Sequence, residues 1–155
     1  MESPRFHQLP PEADMTDVHA LLIAAFAYME GRIDPPSSLT RMTPASFSEA
    51  AKAGELWVAG TPPLACMVLT PQTDTLYLGK MAIAPSHRGS GLARRMIAHA
   101  TERAKALGLP SVTLQTRIEL VENQRAFTAL GFTETGRTAH AGYPSPTSIT
   151  YCREV

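Results

Sequence analysis

Apolar positions along this chain follow two rhythms, one of period two and one of about 3.6, and Gly and Pro mark the breaks between them. A short alternation at residues 5–9 predicts a strand. Asp14 then reads as an N-cap, with Asp17 three positions on in a capping-box-like arrangement. Val18, Leu21, Leu22, Ala25, Phe26 and Met29 follow at helical spacing, so a helix is expected to about Met29, ended by Gly31 and Pro35-Pro36. Thr43 before Pro44 is an N-cap followed by proline at the first helical position, opening a helix to about Ala53 that Gly54 stops. Residues 55–59, 64–70 and 75–84 read as three strands, the first two joined at Gly60-Thr61-Pro62-Pro63. Gly79, in the middle of the third, marks a bulge or a close backbone approach.

The strongest helical pattern covers residues 92–107. Leu92, Met96, Ala100 and Leu107 form one face flanked by Ala93, Ile97 and Ala104, while Arg94, Arg95, Glu102, Arg103 and Lys105 take the other. Gly108 and Pro110 close it. A β-rich run at 111–117, a short helix at 122–130 closed by Gly131, and strands at 132–138 and 148–153 complete the chain. The element order predicts a mixed α/β fold in one domain spanning residues 1–155.

Composition narrows the function classes. Lys plus Arg and Asp plus Glu are each 14, so the formal net charge is zero. A neutral chain has no bulk attraction for polyanions, which disfavours nucleic acid and anionic membranes as partners. No apolar run approaches the roughly 18 residues of a membrane span, and residues 1–14 hold no apolar core of a signal peptide. Cys66 and Cys152 make neither a disulfide framework nor a zinc set, and a reducing cytoplasm is the expected compartment. No pair of His or Cys sits at metal-ligand spacing, so no metal is expected.

The informative stretch is Ile83-Ala84-Pro85-Ser86-His87-Arg88-Gly89-Ser90-Gly91-Leu92-Ala93. A strand ends, a loop with two glycines follows, and an amphipathic helix starts at once. Free N–H groups of such a loop and first turn, with the helix dipole, suit an anion such as a pyrophosphate. The dinucleotide fingerprint fails because Arg94 stands at its third glycine, and the P-loop ending is absent. A nucleophile elbow around Ser90 fails because Arg88 and Leu92 stand where it needs glycines.

Arg88-x-x-Gly91-x-Ala93 after this strand resembles the R/Q-x-x-G-x-G/A signature of the GNAT superfamily of acyl-CoA-dependent N-acyltransferases. A second stretch, Glu122-Asn123-Gln124-Arg125-Ala126-Phe127-Thr128-Ala129-Leu130-Gly131-Phe132, resembles that superfamily's E-N-x-x-x-Y-x-x-L-G-F segment, and the two lie in the right order. The resemblance implies a mostly antiparallel sheet, splayed between the strand before the phosphate loop and the next strand, and flanked by about four helices. It implies that acetyl-CoA is the co-substrate. Arg88, Gly89, Ser90, Gly91, Leu92 and Ala93 would hold its pyrophosphate, and Met81, Ala82 and Ile83 would pair with the pantetheine arm. Asn123 would contact that arm, and a strand N–H would polarise the thioester carbonyl.

One departure stands out. The family often has a tyrosine where this chain has Phe127, and that tyrosine usually protonates the leaving thiolate. Phe127 is expected to line the pantetheine tunnel, with Tyr77, Ser90 or water as the alternative proton donor; Tyr77 is the candidate catalytic residue. The roof of the acceptor side in this superfamily corresponds to residues 28–38 and 140–144. Tyr28, Glu30, Arg32, Asp34, His140 and Tyr143 are therefore the candidate substrate residues. The mixed charges of Glu30, Arg32 and Asp34 suit an ammonium and a carboxylate together, and ordinary solvated salt bridges read equally well. The expected function is acetyl transfer to a primary amine of a small molecule, an amino acid or an amine-like compound, with a second copy of the chain as a further partner. The alternatives are a non-catalytic acyl-CoA-binding regulatory module and a protein N-terminal or lysine acetyltransferase. His87 reads as a loop-bonding residue, His19 and His99 as structural or surface ones, and Cys66 as a small buried side chain.

Overall fold

The computed structural model describes residues 4–155, so the first three positions of the N-terminal stretch lie outside the described residues. Seven strands form one sheet: β1 (Phe6–Leu9), β2 (Glu55–Ala59), β3 (Ala65–Pro71), β4 (Leu76–Ile83), β5 (Ser111–Arg117), β6 (Thr133–Thr138) and β7 (Ser148–Glu154). Their spatial order is β1-β2-β3-β4-β5-β7-β6. All neighbours are antiparallel except β4 and β5, which are parallel and pair only at Leu76 with Val112 and Tyr77 with Thr113. Beyond those two positions the strands part. Four helices flank the sheet: α1 (Thr16–Phe26), α2 (Pro44–Ala53), α3 (Leu92–Ala106) and α4 (Val121–Ala129). No helix of the described residues is long and apolar enough to cross a membrane.

Two cores lie on the two faces of the sheet. α3 packs Leu92, Met96, Ile97, Ala100 and Ala104 against Met67, Leu69, Leu76, Leu78, Val112 and Leu114. α1 and α2 bury Val18, Leu22, Ala25 and Phe47 against Leu56, Val58, Cys66, Val68 and Ala82. Side chains on β4 show how the sheet is re-aimed at its centre. Leu76 and Leu78 belong to the α3 core, and Met81 and Ile83 pack on that same core. Strict alternation from Leu78 would place residues 80 and 82 there. A bulge causes the change: Cys66 pairs with Ala82 and Val68 with Gly79, so Met67 faces two residues, Lys80 and Met81.

The expected elements are present, with local differences. The first helix ends as an α-helix at Phe26 and continues as one 3-10 turn, Ala27–Met29. Asp14 accepts from Thr16 N–H at 2.9 Å and from Thr16 Oγ1 at 2.6 Å, and Asp17 takes no part in a capping box. At α2 the Thr43 N–H donates to Ser46 Oγ at 3.1 Å. Leu107 is 41% exposed instead of completing the α3 face, because the helix stops at Ala106 and Leu107 turns away as its C-cap. Gly79 is not the residue that takes the unusual backbone angle; Lys80 does, at φ 49°. Gly79 instead makes room: a Cβ there would stand 3.2 Å from the Tyr77 ring.

Candidate active site

The parting of β4 from β5 opens a cleft of about 610 Å³. Its closed end is stapled by hydroxyls, with Thr75 Oγ1 2.7 Å from Thr113 Oγ1 and accepting from Ser111 Oγ at 2.9 Å. From Leu78 onward the β4 edge towards β5 has no strand partner, so its polar backbone groups are available to an extended ligand arm. At the mouth lies the 84–91 loop. Gly89 and Gly91 take φ 75° and 83°, a left-handed conformation that disfavours any residue with a Cβ. No atom lies within 4 Å of a Cβ placed on either, so backbone angle is what requires glycine there. The first α3 hydrogen bond runs from Arg95 N to Gly91 O at 3.2 Å. The N–H groups of residues 92–94 are therefore the unpaired ones of the first turn.

Met81, Ala82, Ile83, Arg88, Gly89, Ala93, Asn123 and Phe127, all expected cofactor contacts, line the cleft. Ser90, Gly91 and Leu92 do not. The Ser90 hydroxyl is spent on His87 O at 2.5 Å, and Leu92 is buried in the α3 core, leaving its N–H as what it can offer a ligand. His87 bonds within the loop, its Nδ1 2.9 Å from Ser86 Oγ. Arg88 points its guanidinium away from the loop, donating to Ala25 O at 2.7 Å and lying over the Tyr28 ring at 5.2 Å.

Phe127 packs against Phe132 and Tyr151, with ring centroids 6.1 and 6.3 Å apart, and presents an apolar wall. Tyr77 also lines the cleft. Its hydroxyl makes no hydrogen bond to the described residues, and burial pushes its pKa up. It stays protonated at neutral pH and can donate.

Residues 28–38 cross the open end as a strap. Asn123 Nδ2 donates to Tyr28 Oη at 3.2 Å, and Arg32 pairs with Glu122 at 2.7 Å. Tyr143 Oη donates to Asp34 Oδ1 at 2.5 Å, Asp34 N–H to Glu119 Oε2 at 3.0 Å, and Arg117 Nη1 to Pro35 O at 2.8 Å. The Tyr143 hydroxyl is pushed up chiefly by its bond to Asp34. Among the expected substrate residues, Tyr28 and His140 line the cleft; Glu30, Arg32, Asp34 and Tyr143 do not. Glu30 borders a smaller cavity of about 310 Å³ behind Phe26, Met29, Ser37 and Leu39. His140 is held by Thr147, which accepts its N–H at 2.9 Å and bonds its ring Nδ1. Sequence reasoning missed Lys80, Gln115, Arg117 and Ser148, which also line the cleft. Gly79, which marks a bulge or close approach in the sequence, was the one signal near Lys80.

Solved structures share this fold. A GNAT family acetyltransferase from Elizabethkingia anophelis with acetyl-CoA bound is 18% identical, with TM-score 0.74 and full coverage of both chains, 100% each. An IAA acetyltransferase from Bacillus cereus is 19% identical at TM-score 0.69, covering 97% of this chain and 99% of that one. An acetyltransferase from Bacillus subtilis in complex with CoA is 17% identical at 0.69, covering 98% and 99%. No curated protein matches the chain. The sequence model of the acetyltransferase (GNAT) family matches residues 16–132, most of the chain and both motif stretches. The chain belongs to the GNAT family of acetyltransferases.

Proposed function

We propose that this chain transfers the acetyl group of acetyl-CoA to a primary amine of a small molecule, by direct attack with both substrates bound. The observation that carries the reading is the cleft between β4 and β5, with an unpaired strand edge, free N–H groups at its mouth and a pinned strap over its other side. These features fit acetyl-CoA. The N–H groups of the 88–93 segment suit the pyrophosphate, the β4 edge at Met81, Ala82 and Ile83 suits the pantetheine amides, and Phe127 suits an apolar stretch of the arm. Similar proteins with acetyl-CoA and CoA bound support the same co-substrate.

In the reaction, the acetyl carbon gains a bond to nitrogen and loses its bond to sulfur; the amine gives up one proton and the sulfur takes one. The residues of this chain hold the two partners together, which supplies much of the rate. Tyr77 is our candidate donor to sulfur, because it lines the cleft, its hydroxyl is protonated and no described residue competes for it. The strap favours a small acceptor. Five polar contacts fasten it to the end of β5, the β5–α4 turn, α4 and the β6–β7 loop, which favours an acceptor small enough to enter beside it.

Thiol release from acetyl-CoA, measured across a panel of small amines, peptide N-termini and lysine peptides, tests this. Saturable release with a small amine is expected. Turnover confined to peptides would overturn the small-molecule reading.

A further inference from the structure

The cleft has a one-sided charge pattern that the chain as a whole does not. Equal numbers of acidic and basic residues are spread over the protein. Of the charged side chains lining the cleft, Lys80, Arg88 and Arg117 are cationic, and no Asp or Glu is among the lining residues. Two of the three cations are already engaged. Arg88 is held by Ala25 O and the Tyr28 ring. Arg117 is held by Pro35 O, and it acts on the Tyr143 hydroxyl together with Asp34 and Glu119 in the roof. Lys80 differs: no salt bridge or hydrogen bond from its ammonium exists among the described residues.

Its backbone is a second, independent sign. Lys80 is the one described residue other than glycine with positive φ, at 49°. A lysine in that conformation is held there against its own preference, and such residues cluster at functional sites. Gly79, beside it, would tolerate the angle without strain. The bulge thus holds Lys80 in an unfavourable conformation within the wall of the cleft.

The cation is not accounted for by acetyl-CoA. Its phosphates belong at the loop beyond Ile83, and the pantetheine arm between them and the sulfur carries no charge. Lys80 is only half-buried, so its ammonium stays hydrated in the empty cleft and, with no partner of its own among the described residues, is free to meet an anion that the other substrate brings.

We infer that the acceptor amine carries a carboxylate, and that Lys80 binds it. One free ammonium matches one monoanion, with Gln115, Ser37 and Ser38 on the same walls as neutral hydrogen-bonding groups. This rests on the acetyl-transfer reading and narrows its substrate class to amino acids and other amino carboxylates. The residues first considered for a carboxylate and an ammonium, Arg32, Glu30 and Asp34, lie outside the cleft walls; Arg32 and Asp34 serve the strap.

The test compares amino acids with their carboxamides, which keep the shape and lose the charge. Wild-type protein should prefer the acid in kcat/KM by about 10- to 100-fold, the worth of one charge-assisted hydrogen bond. Lys80→Met should abolish that preference through loss on the acid alone, and Lys80→Arg should retain it. Equal use of acid and amide by the wild type, or a preference that survives in Lys80→Met, overturns the proposal. If no amine is acetylated although acetyl-CoA binds, the transfer reading fails instead. Calorimetry of N-acetylglycine and N-acetylglycinamide on the CoA-loaded protein then decides the subsite separately. Tighter binding of the acid that vanishes in Lys80→Met upholds it, and equal binding overturns it.

Discussion

At the residue scale, the proposed reaction divides between Tyr77 and Phe127 a role that one tyrosine often fills in the family. Phe127 keeps the ring and loses the hydroxyl, and its contacts with Phe132 and Tyr151 make it part of the packing. Tyr77 supplies a hydroxyl on the facing strand, and Gly79 gives its ring the space to lie down. Burial raises the Tyr77 pKa, so the group favours giving a proton over taking one. Tyr77→Phe is therefore expected to lower kcat by about 10²-fold or more, the usual worth of a general acid, with acetyl-CoA affinity nearly unchanged. Phe127→Tyr should leave kcat within about tenfold of wild type, below that same range. Steady-state kinetics paired with a CoA titration checks both, and a Tyr77→Phe enzyme with full turnover would return the proton to water. The candidates Tyr77, Phe127 and Asn123 were legible in the sequence because each sits in an ordered motif or an alternating strand. Lys80 was not, since Gly79 signals a bulge while the residue it turns out depends on the register of β3 against β4.

At the element scale, α3 ties the loop with Gly89 and Gly91 to the sheet, and its docking is partly electrostatic. Glu55 of β2 accepts two bonds from Arg103 of α3, at 2.8 and 2.6 Å, and one from Trp57 Nε1 at 2.9 Å. The Arg103 bonds hold the Glu55 carboxyl below its usual value. His99 lies beneath, stacked on Phe6 at 5.1 Å and edge-on to Trp57 at 4.2 Å, with Nε2 buried and unpartnered. Burial first, and then the Arg103 charge, push its pKa below 6.5, while Glu55 pulls the other way. A histidine with a lowered folded value binds fewer protons folded than unfolded. Its contribution is therefore intact above pH 6.5 and is lost as pH falls through the lowered value. His99→Phe, which can occupy the same aromatic stack, should flatten the decline in stability between about pH 7 and pH 5. Urea denaturation across that range reads it out; parallel curves for the two proteins would remove His99 from the pH response. Glu55 acts in the same direction at lower pH, its contribution present above about 4.5 and lost below. The elements of this docking were legible from α3's apolar stripe. The pairing of Glu55 with Arg103, 48 positions apart, was not, because surface charges pair by tertiary register alone.

For the whole molecule, the sheet is two half-sheets, β1–β4 and β5–β7, joined edge to edge through two paired positions and a hydroxyl staple, with α3 packed across the seam and the strap over it. The wedge between them was foreseeable once the two motifs were placed in order. The strap's partners were not, since contacts such as Tyr143 with Asp34 join residues 109 apart. A ligand that fills the wedge touches both halves and adds the pairing that β4 and β5 lack. It binds only when the halves are assembled, so its binding energy adds to the stability of the assembly. At 100 times its Kd such a ligand contributes about 2.7 kcal/mol. For a chain of 155 residues each kcal/mol moves Tm by about 2–4 °C. Acetyl-CoA at that excess should raise Tm by about 5–10 °C. Pantetheine at the same concentration should raise it less, because it lacks the pyrophosphate that the N–H groups at the start of α3 would hold. Equal shifts for the two ligands would mean that the loop with Gly89 and Gly91 shapes the cleft mouth without binding phosphate. With the full shift reserved for acetyl-CoA, the glycine loop and the parted strands act as one site, and the weakest seam of the sheet is the one the co-substrate closes.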